Sequence, residues 1–252
     1  MEKFANALAE TFMEKYPNVT VQAEFTGSSA GIESVLAGQC DVGDSSRALK
    51  DDEKAKGAVE NIVAIDGIAV VVDPSNAVDG LSKDELTGIY DGSITNWKDV
   101  GGKDQEIVAF QRGEDSGSQT LFKKLLIQGG ELMTPPSELA PAAMGELVDS
   151  IADYNNSANA IGFSVYYYID QMYSKPGLRL LAVDGVTPSN DTLADGSYPL
   201  CNDFYAVIHP DAAADSPERR LYDWLDTDAG QDCIKKSGYV AVGPQTTVTI
   251  VD

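Results

Sequence analysis

The stretch TGSSAGIESVLAGQCDVGDSSR, residues 26–47, carries the clearest fold signal in this chain. Glycine and small hydroxyl residues open it, an apolar helical segment follows, and CDVGDSSR has the character of a short strand. Before it, YPNVTVQAEF (16–25) alternates apolar and polar residues as a strand does. A helical stripe precedes that strand and comprises Phe4, Ala5, Leu8, Ala9 and Phe12. This helix–strand–helix–strand order predicts an α/β protein with a parallel sheet covered by helices.

The rest of the chain continues the alternation of strands and helices. The apolar run IVAIDGIAVVVD (62–73) predicts a long strand that leaves the first unit. Further strands are predicted in EIVAFQR, AIGFSVYYY, LRLLAV and PLCNDFYAVIH, and further helices in LSKDELTGIYDG, QTLFKKLL and PERRLYDWLDTDAGQDCIKKSG. With crossings near residues 68 and 202, we expect two α/β lobes joined by a hinge: residues 1–68 with 203–252, and residues 69–202.

The segment TTVTIVD (246–252) predicts a β-branched strand at the C-terminal end. Two interpretations stay open. It is an ordinary edge strand, or it is the first strand of the fold, displaced by circular permutation. We expect it to pair in the sheet of the first lobe, with its C-terminus near the start of the first helix.

The charge balance excludes two classes of partner. The formal net charge is −22, from 18 basic and 40 acidic side chains, so nucleic acid and anionic lipid are repelled at long range. An anion ligand on such a chain must be held by short-range, directional donors. No apolar run approaches the ~20 residues of a membrane helix, and no basic, apolar signal sequence stands at the start.

The three cysteines, Cys40, Cys201 and Cys233, are far apart and lack the paired spacing of zinc ligands. Two or three buried thiols are expected, and a Cys201–Cys233 disulfide is an alternative in an oxidising compartment. The acidic stretches DDEKAK and DGLSKDEL lack calcium-loop spacing, so we interpret them as solvated helix starts. No phosphate loop of the nucleotide-binding kind is present, and we expect no cofactor.

Three segments place serine and glycine where a strand is predicted to give way to a helix: residues 26–31, 44–47 and 112–118. Backbone N–H groups at a helix start point outward at the positive end of the dipole, which favours a tetrahedral oxyanion. Serine hydroxyls add donors, and Arg112 offers a planar, two-pronged guanidinium. Taken singly, each segment is better explained as a helix cap or turn, and it is the three together that favour an anion site.

A rival interpretation is a serine hydrolase. Residues 27–31 fit the G-x-S-x-G pattern of a nucleophile elbow, with Ser29 as nucleophile and His209, the one histidine of the chain, as base. His209 precedes Pro210 at a predicted strand end, where a turn role is the ordinary one. A hydrolase also leaves the segment 112–118 without a purpose.

Several of these segments together resemble the phosphate-binding component (PstS-type) of bacterial phosphate importers. The resemblance covers residues 1–242 and rests on TGSSAG, VAIDGIAVVVDP, GIYDGSITNW, QRGEDSGSQTLF and AIGF, of which SITNW and R-x-E-x-SGS are the most specific. It implies a type II periplasmic-binding-protein fold, in which two α/β lobes close on dehydrated phosphate.

The resemblance also implies roles for individual residues. Ser28 matches a phosphate-binding serine at a helix start, Arg112 the arginine that reaches the ligand, and Glu114 the acid that holds it. The phosphate ligands implied are Ser28, Ser46, Arg112, Ser116, Gly117 and Ser118. Supporting positions are Thr26, Ser29, Asp44, Arg47 and Glu114.

Two departures from the family pattern stand out. Ser46 occupies the place of an aspartate that accepts the phosphate proton in some members, so the acceptor here is a serine hydroxyl, a carbonyl or Asp44. The family's first strand and small Gly/Ser/Thr loop do not precede the first helix, so we expect weaker phosphate binding than in an intact relative.

The resemblance therefore implies a non-enzymatic, monomeric solute-binding protein that delivers inorganic phosphate to the membrane permease of an ABC importer. It would act outside the cytoplasm, in the periplasm or on the cell surface as a lipoprotein. A phosphate sensor or an engineered, permuted scaffold on the same fold is the alternative.

Overall fold

A computed structural model describes residues 2–24, 27–113, 116–127, 130–141, 144–153, 157–169 and 177–242. The chain forms two compact units, Met1–Asp66 with Asn202–Asp252, and Gly67–Cys201. The sequence predicted the first boundary after residue 68, and it falls after Asp66; it predicted the second after residue 202, and it falls after Cys201. That the units are ligand-gripping lobes stays a prediction.

The helices are α1 Glu2–Lys15, α2 Ser28–Leu36, α3 Asp51–Ala55, α4 Lys83–Asp91, α5 Gly117–Ile127, α6 Met144–Asp153, α7 Asn190–Ala194, α8 Pro217–Leu225 and α9 Asp228–Lys236. The strands are β1 Val42–Ser45, β2 Val59–Val72, β3 Gly80–Leu81, β4 Val108–Ala109, β5 Ala160–Val165, β6 Arg179–Leu180, β7 Ala182–Val183, β8 Cys201–Ile208 and β9 Val240–Ala241.

Most of the strand pairs whose direction is known among the described residues are antiparallel, which corrects the expectation of a parallel sheet. In the first unit β1 pairs antiparallel with β8, and β9 pairs antiparallel with the first half of β2. In the second unit the end of β2 pairs antiparallel with β5 and β6, whereas β4–β5 and β3–β7 are parallel. The α/β composition is as predicted, but strand direction depends on which strands become neighbours, and helix–strand order does not reveal that.

The core of the first unit joins the first helix to the last two. Phe12 lies 5.4 Å from Trp224, ring centre to ring centre, and both are fully buried. This confirms the predicted helical stripe, of which Leu8 and Ala9 are also buried. The strand expected over 16–25 is not present in its described residues 16–24; Val19 and Val21 instead pack, partly buried, against this core.

The helical region 217–238 is two helices rather than the single one expected. The chain turns at Thr227, whose hydroxyl accepts the Gly230 N–H at 3.2 Å and so caps α9. Gly230 packs so closely on the Trp224 carbonyl that no side chain would fit there. The turn lets α8 and α9 bury separate apolar faces.

The second unit is built on an aromatic cluster that fixes α5 on the sheet. Phe122 of α5 stacks on Phe163 of β5 at 3.8 Å, and Tyr90 of α4 meets Phe122 edge-on at 4.8 Å. All three rings are fully buried. The start of α5, with the sequence Ser-Gly-Ser, is therefore anchored from the core side.

Candidate functional site

Close packing of α2 on β1 brings two of the serine-rich segments together in the first unit. A Cβ at Gly43 would lie 3.1 Å from Val35 and 3.4 Å from the Gly31 carbonyl, so glycine at 43 lets the helix approach the strand. Ile32 and Val35 of α2 are fully buried in a small core with Val207 of β8. This packing places the start of α2 beside the end of β1.

Ser28 and Ser46 meet at this point. The Ser28 hydroxyl accepts the Ser46 N–H at 3.0 Å, and the two hydroxyl oxygens lie 3.3 Å apart. Gly27, with φ of 91°, precedes α2, and no side chain caps the helix start. The first turn of α2 therefore presents backbone N–H groups next to a pair of hydroxyls, a combination suited to an anion.

One expectation about the segment 44–47 is wrong. β1 ends at Ser45, but α3 does not begin until Asp51, so this segment does not open a helix. The intervening residues form a bend that is held by the Ser45 hydroxyl, which donates to the Arg47 carbonyl at 2.6 Å and accepts the Arg47 N–H at 3.2 Å. The donors of Ser46 are therefore oriented by a turn rather than by a helix dipole.

Arg47 is engaged on both sides of this bend. Its guanidinium donates to both carboxylate oxygens of Glu53, at 2.8 and 2.9 Å, and to the Ser29 hydroxyl at 3.1 Å. Glu53 is only 6% exposed, and the hydrogen bond from Arg47 is the main reason that its pKa falls to about 2. The expectation that residues 51–56 are merely a solvated helix start is wrong at Glu53.

In the second unit, Arg112 is held against the first turn of α5. The Arg112 N–H donates to Oε1 of Gln119 at 2.9 Å. Nε2 of Gln119 donates to Gln111, which in turn donates to the Met133 carbonyl, both at 2.9 Å. Both glutamines are almost fully buried, so the backbone at Arg112 is fixed by a satisfied buried network.

The serines at the start of α5 form a second hydroxyl pair. Oγ of Ser116 lies 2.9 Å from Oγ of Ser118, with Gly117 between them as the first residue of the helix. The Ser116 N–H donates to the Gly113 carbonyl at 2.9 Å, which holds the start of α5 close to the residue that follows Arg112.

The electrostatic setting of Arg112 is that of a partly buried cation. Desolvation lowers the pKa of its guanidinium, whereas the nearby Glu146 and Tyr168 raise it. Glu114, which the resemblance assigns as its acid partner, and Thr26 both lie outside the described residues. Their predicted roles stay predictions.

Asp44 occupies the middle of β1, opposite Ala206 of β8. Because neighbouring residues of a strand face opposite sides and Gly43 faces α2, Asp44 lies on the side away from α2. Burial raises the pKa of its carboxyl group from 3.8 to about 6. Such a group is a better proton acceptor near neutral pH than an ordinary aspartate.

The hydrolase interpretation finds no support in the first unit. The Ser29 hydroxyl accepts from Arg47, and Nδ1 of His209 accepts the Asp211 N–H at 3.2 Å in a local turn. Within the described residues, no hydrogen bond joins Ser29 to His209. A nucleophile needs a base within hydrogen-bond reach.

Gln111, Gln119 and Glu53 are the supporting residues that sequence reasoning missed. A glutamine near a serine-rich turn carries no special pattern, and Glu53 lies in a charged run that resembles a solvent-facing helix. Sequence spacing gave one usable hint: Glu53 stands three residues after Lys50, and its carboxylate accepts the Lys50 N–H at 2.7 Å as in a helix cap.

The cysteines are thiols, and no disulfide joins Cys201 to Cys233. The expectation of buried thiols holds for Cys233 alone, since Cys40 is exposed and Cys201 half-buried. No cluster of metal-binding side chains occurs among the described residues. Within the same part of the chain, no helix has the length and apolar character needed to cross a bilayer.

Comparison with known proteins places this geometry in a family. A family described as the PBP superfamily domain matches residues 1–227. The chain belongs to the PBP superfamily. It is 31% identical over 245 residues to the phosphate-binding protein PstS of Bacillus subtilis, a match that covers 96% of this chain and 78% of the relative.

Solved structures agree with this assignment. An ABC-type phosphate transport receptor from Vibrio cholerae superposes with a TM-score of 0.76 at 27% identity, covering 94% of both chains. A Clostridium perfringens protein described as a phosphate ABC transporter substrate-binding protein with bound phosphate superposes with a TM-score of 0.63 at 30% identity, covering 95% of this chain and 94% of the other. The predicted family and its type II PBP fold are confirmed.

Proposed function

We propose that this protein is a solute-binding protein that captures inorganic phosphate for an ABC importer. One observation carries the proposal: each unit places a pair of serine hydroxyls at the start of a helix. Ser28 and Ser46 form the pair at α2, and Ser116 and Ser118 form the pair at α5. The curated relative is named a phosphate-binding protein, and the two solved structures are of a phosphate transport receptor and a phosphate substrate-binding protein with a similar fold.

Phosphate suits these donors because its oxygens accept several hydrogen bonds at once. We propose that Ser28, Ser46, Arg112, Ser116, Gly117 and Ser118 supply them. A hydrogen bond to a charged ligand contributes about 1.5–3 kcal/mol. Several of them suffice for micromolar affinity, which needs about 8 kcal/mol.

Titration calorimetry on the purified protein tests the proposal. We expect one phosphate per chain, and at least tenfold weaker binding (about 1.4 kcal/mol) in each of Ser28→Ala, Ser118→Ala and Arg112→Lys. Ser237→Ala is the matched control because its hydroxyl donates, within the described residues, to the Cys233 carbonyl alone, at 2.9 Å. Absence of phosphate binding, or variants that bind as the wild type does, would refute it.

Choice of anion is tested by thermal shift with phosphate, arsenate, sulfate and molybdate in parallel, since a bound ligand stabilises the fold. Phosphate and arsenate carry a proton at neutral pH, whereas sulfate does not. We therefore expect the first two to give the larger shifts. Asp44→Asn tests whether the Asp44 carboxylate, rather than a serine hydroxyl or a carbonyl, accepts the phosphate proton. If this variant loses the preference for phosphate over sulfate, Asp44 is the acceptor.

We further propose that the protein is a receptor without catalytic activity, that it acts outside the cytoplasm and that its partner is a membrane permease. The named relatives are binding proteins and receptors. Labelling with an activated phosphonate tests the first point. Covalent modification of Ser29 would contradict it.

A further inference from the structure

A second guanidinium, that of Arg47, lies beside the donor pair of the first unit. Arg47 belongs to the bend that carries Ser46, and its side chain crosses to Ser29 at the start of α2, at 3.1 Å. The Ser46 N–H makes the parallel crossing to the Ser28 hydroxyl at 3.0 Å. Two neighbouring residues of the bend are therefore tied to two neighbouring residues of the helix.

Glu53 determines where the Arg47 side chain lies. Its two carboxylate oxygens accept both terminal nitrogens of Arg47, at 2.8 and 2.9 Å, in the two-pronged geometry that arginine favours. The same carboxylate accepts the Lys50 N–H at 2.7 Å. Because Glu53 is buried and anchored to the start of α3, it gives Arg47 a fixed partner.

The backbone of the bend is held as well. The Ser45 hydroxyl bonds both the N–H and the carbonyl of Arg47, and Nη1 of Arg47 donates to the Ala48 carbonyl at 3.0 Å. Arg47 is thus engaged with protein groups from its backbone to its terminal nitrogens. Its side chain is 23% exposed.

We propose that Arg47, fixed by Glu53, is a positioning residue that holds the Ser28–Ser46 donor pair in its anion-binding geometry. The inference rests on the proposed function and deepens it. Ordering a bend in advance removes an entropic cost from binding, so it raises affinity without a new contact to the ligand. A direct ionic contact between Arg47 and the anion makes the opposite prediction when Glu53 loses its charge.

Two variants separate these roles. Glu53→Gln removes the carboxylate charge and leaves the Arg47 side chain unchanged. Arg47→Lys keeps the positive charge, but a lysine cannot donate to both Glu53 oxygens and to Ser29 at once. We expect each to weaken phosphate binding about tenfold by calorimetry, chiefly through faster dissociation in stopped flow. The double variant is expected to lose no more phosphate affinity than the weaker-binding of the two single variants, because both substitutions act through the same Arg47–Glu53 contact.

Arg219→Lys is the matched control. Arg219 pairs with Asp223 on α8 in the same unit, with Nε donating at 3.0 Å, and it makes no contact with the donor segments among the described residues. We expect its phosphate affinity to stay within about twofold of the wild type. Unchanged phosphate binding in Glu53→Gln would overturn the proposal. Stronger binding would overturn it in favour of a direct contact between Arg47 and the anion.

Hydrogen exchange of the ligand-free protein keeps this inference distinct from the proposed function. The Ser46 amide proton, bonded to Ser28, is expected to exchange about tenfold faster in Glu53→Gln than in the wild type. If the wild type binds no phosphate, the proposed function fails, and the exchange rate still tests the positioning. If Glu53→Gln does not fold, Ser29→Ala replaces it as the test, because it removes the hydroxyl that accepts from Arg47. This variant is expected to weaken phosphate binding and to speed exchange of the Ser46 amide, and unchanged values would refute the idea.

Discussion

Replacement of Asp44 by asparagine is expected to stabilise the protein at neutral pH. Burial of Asp44 beside β8 raises the pKa of its carboxyl group from 3.8 to about 6. The folded state therefore holds the proton more tightly than the unfolded chain, and stability contributed by protonation is lost as pH rises from about 4 to about 6. A difference of about two pKa units corresponds to about 3 kcal/mol, an upper value for the effect at this partly buried site.

The assay is urea unfolding of both proteins at intervals between pH 4 and pH 8. Asparagine keeps the shape of the side chain without a charge. The free energy of unfolding of Asp44→Asn is therefore expected to exceed that of the wild type by about 2–3 kcal/mol at pH 8. The difference should shrink through pH 6 and be smallest at pH 4. Among the described residues no hydrogen bond to the Asp44 carboxylate is found, so the substitution breaks none there.

Asp41→Asn is the control, because Asp41 is exposed and precedes the same strand. It is expected to leave the free energy of unfolding nearly unchanged across this pH range. A difference between Asp44→Asn and wild type that is constant with pH, or that grows toward acid, would refute the reasoning. Either result would show that Asp44 is not a carboxyl group destabilised by burial.

Three further predictions concern packing, thiols and the glutamine network. Gly162→Ala is expected to cost about 1–3 kcal/mol in urea unfolding, because a Cβ there would collide with Ile151 of α6. Cys40, whose thiol is exposed, is expected to react first with maleimide, whereas the buried Cys233 should react only in denaturant; mass spectrometry of digested protein checks this order. Gln119→Leu is expected to weaken phosphate binding about fivefold or more by calorimetry, since it releases a backbone amide from a buried acceptor.

The sequence predicted more of the helices than of the sheet. The stripe ending at Phe12 follows from helical periodicity, and β2 follows from a continuous apolar run; both are present as predicted. Strand direction was wrong because pairing depends on contacts such as Val42 with Ile208, which join distant parts of the chain. The strand expected from residue 16 onward is absent from residues 16–24. Alternation of apolar and polar residues predicted it, but a strand also needs a neighbouring strand to pair with, and alternation does not reveal one.

The candidate site divides in the same way. Small hydroxyl residues at turns could be recognised locally, and the structure does bring Ser28 to Ser46 and Ser116 to Ser118. The groups that hold them could not be predicted so well. Glu53 lies in an acidic run whose other members face water, and only the folded chain shows that its carboxylate is turned inward toward Arg47.

The division of the first unit into two chain segments has a consequence for the timing of folding. Its contacts join residues 165, 168 and 222 positions apart, as between Asn61 and Asp226, between Val63 and Gln231, and between Thr11 and Cys233. Residues 67–201 contain the second unit complete, so during synthesis that unit can form while the first still waits for its last strand and helices. Distant contacts slow folding, and β1 lacks its partner β8 until residue 208 has emerged. The Ser28–Ser46 pair is therefore assembled late, and a stalled or shortened chain would expose β1 as an unpaired edge open to aggregation.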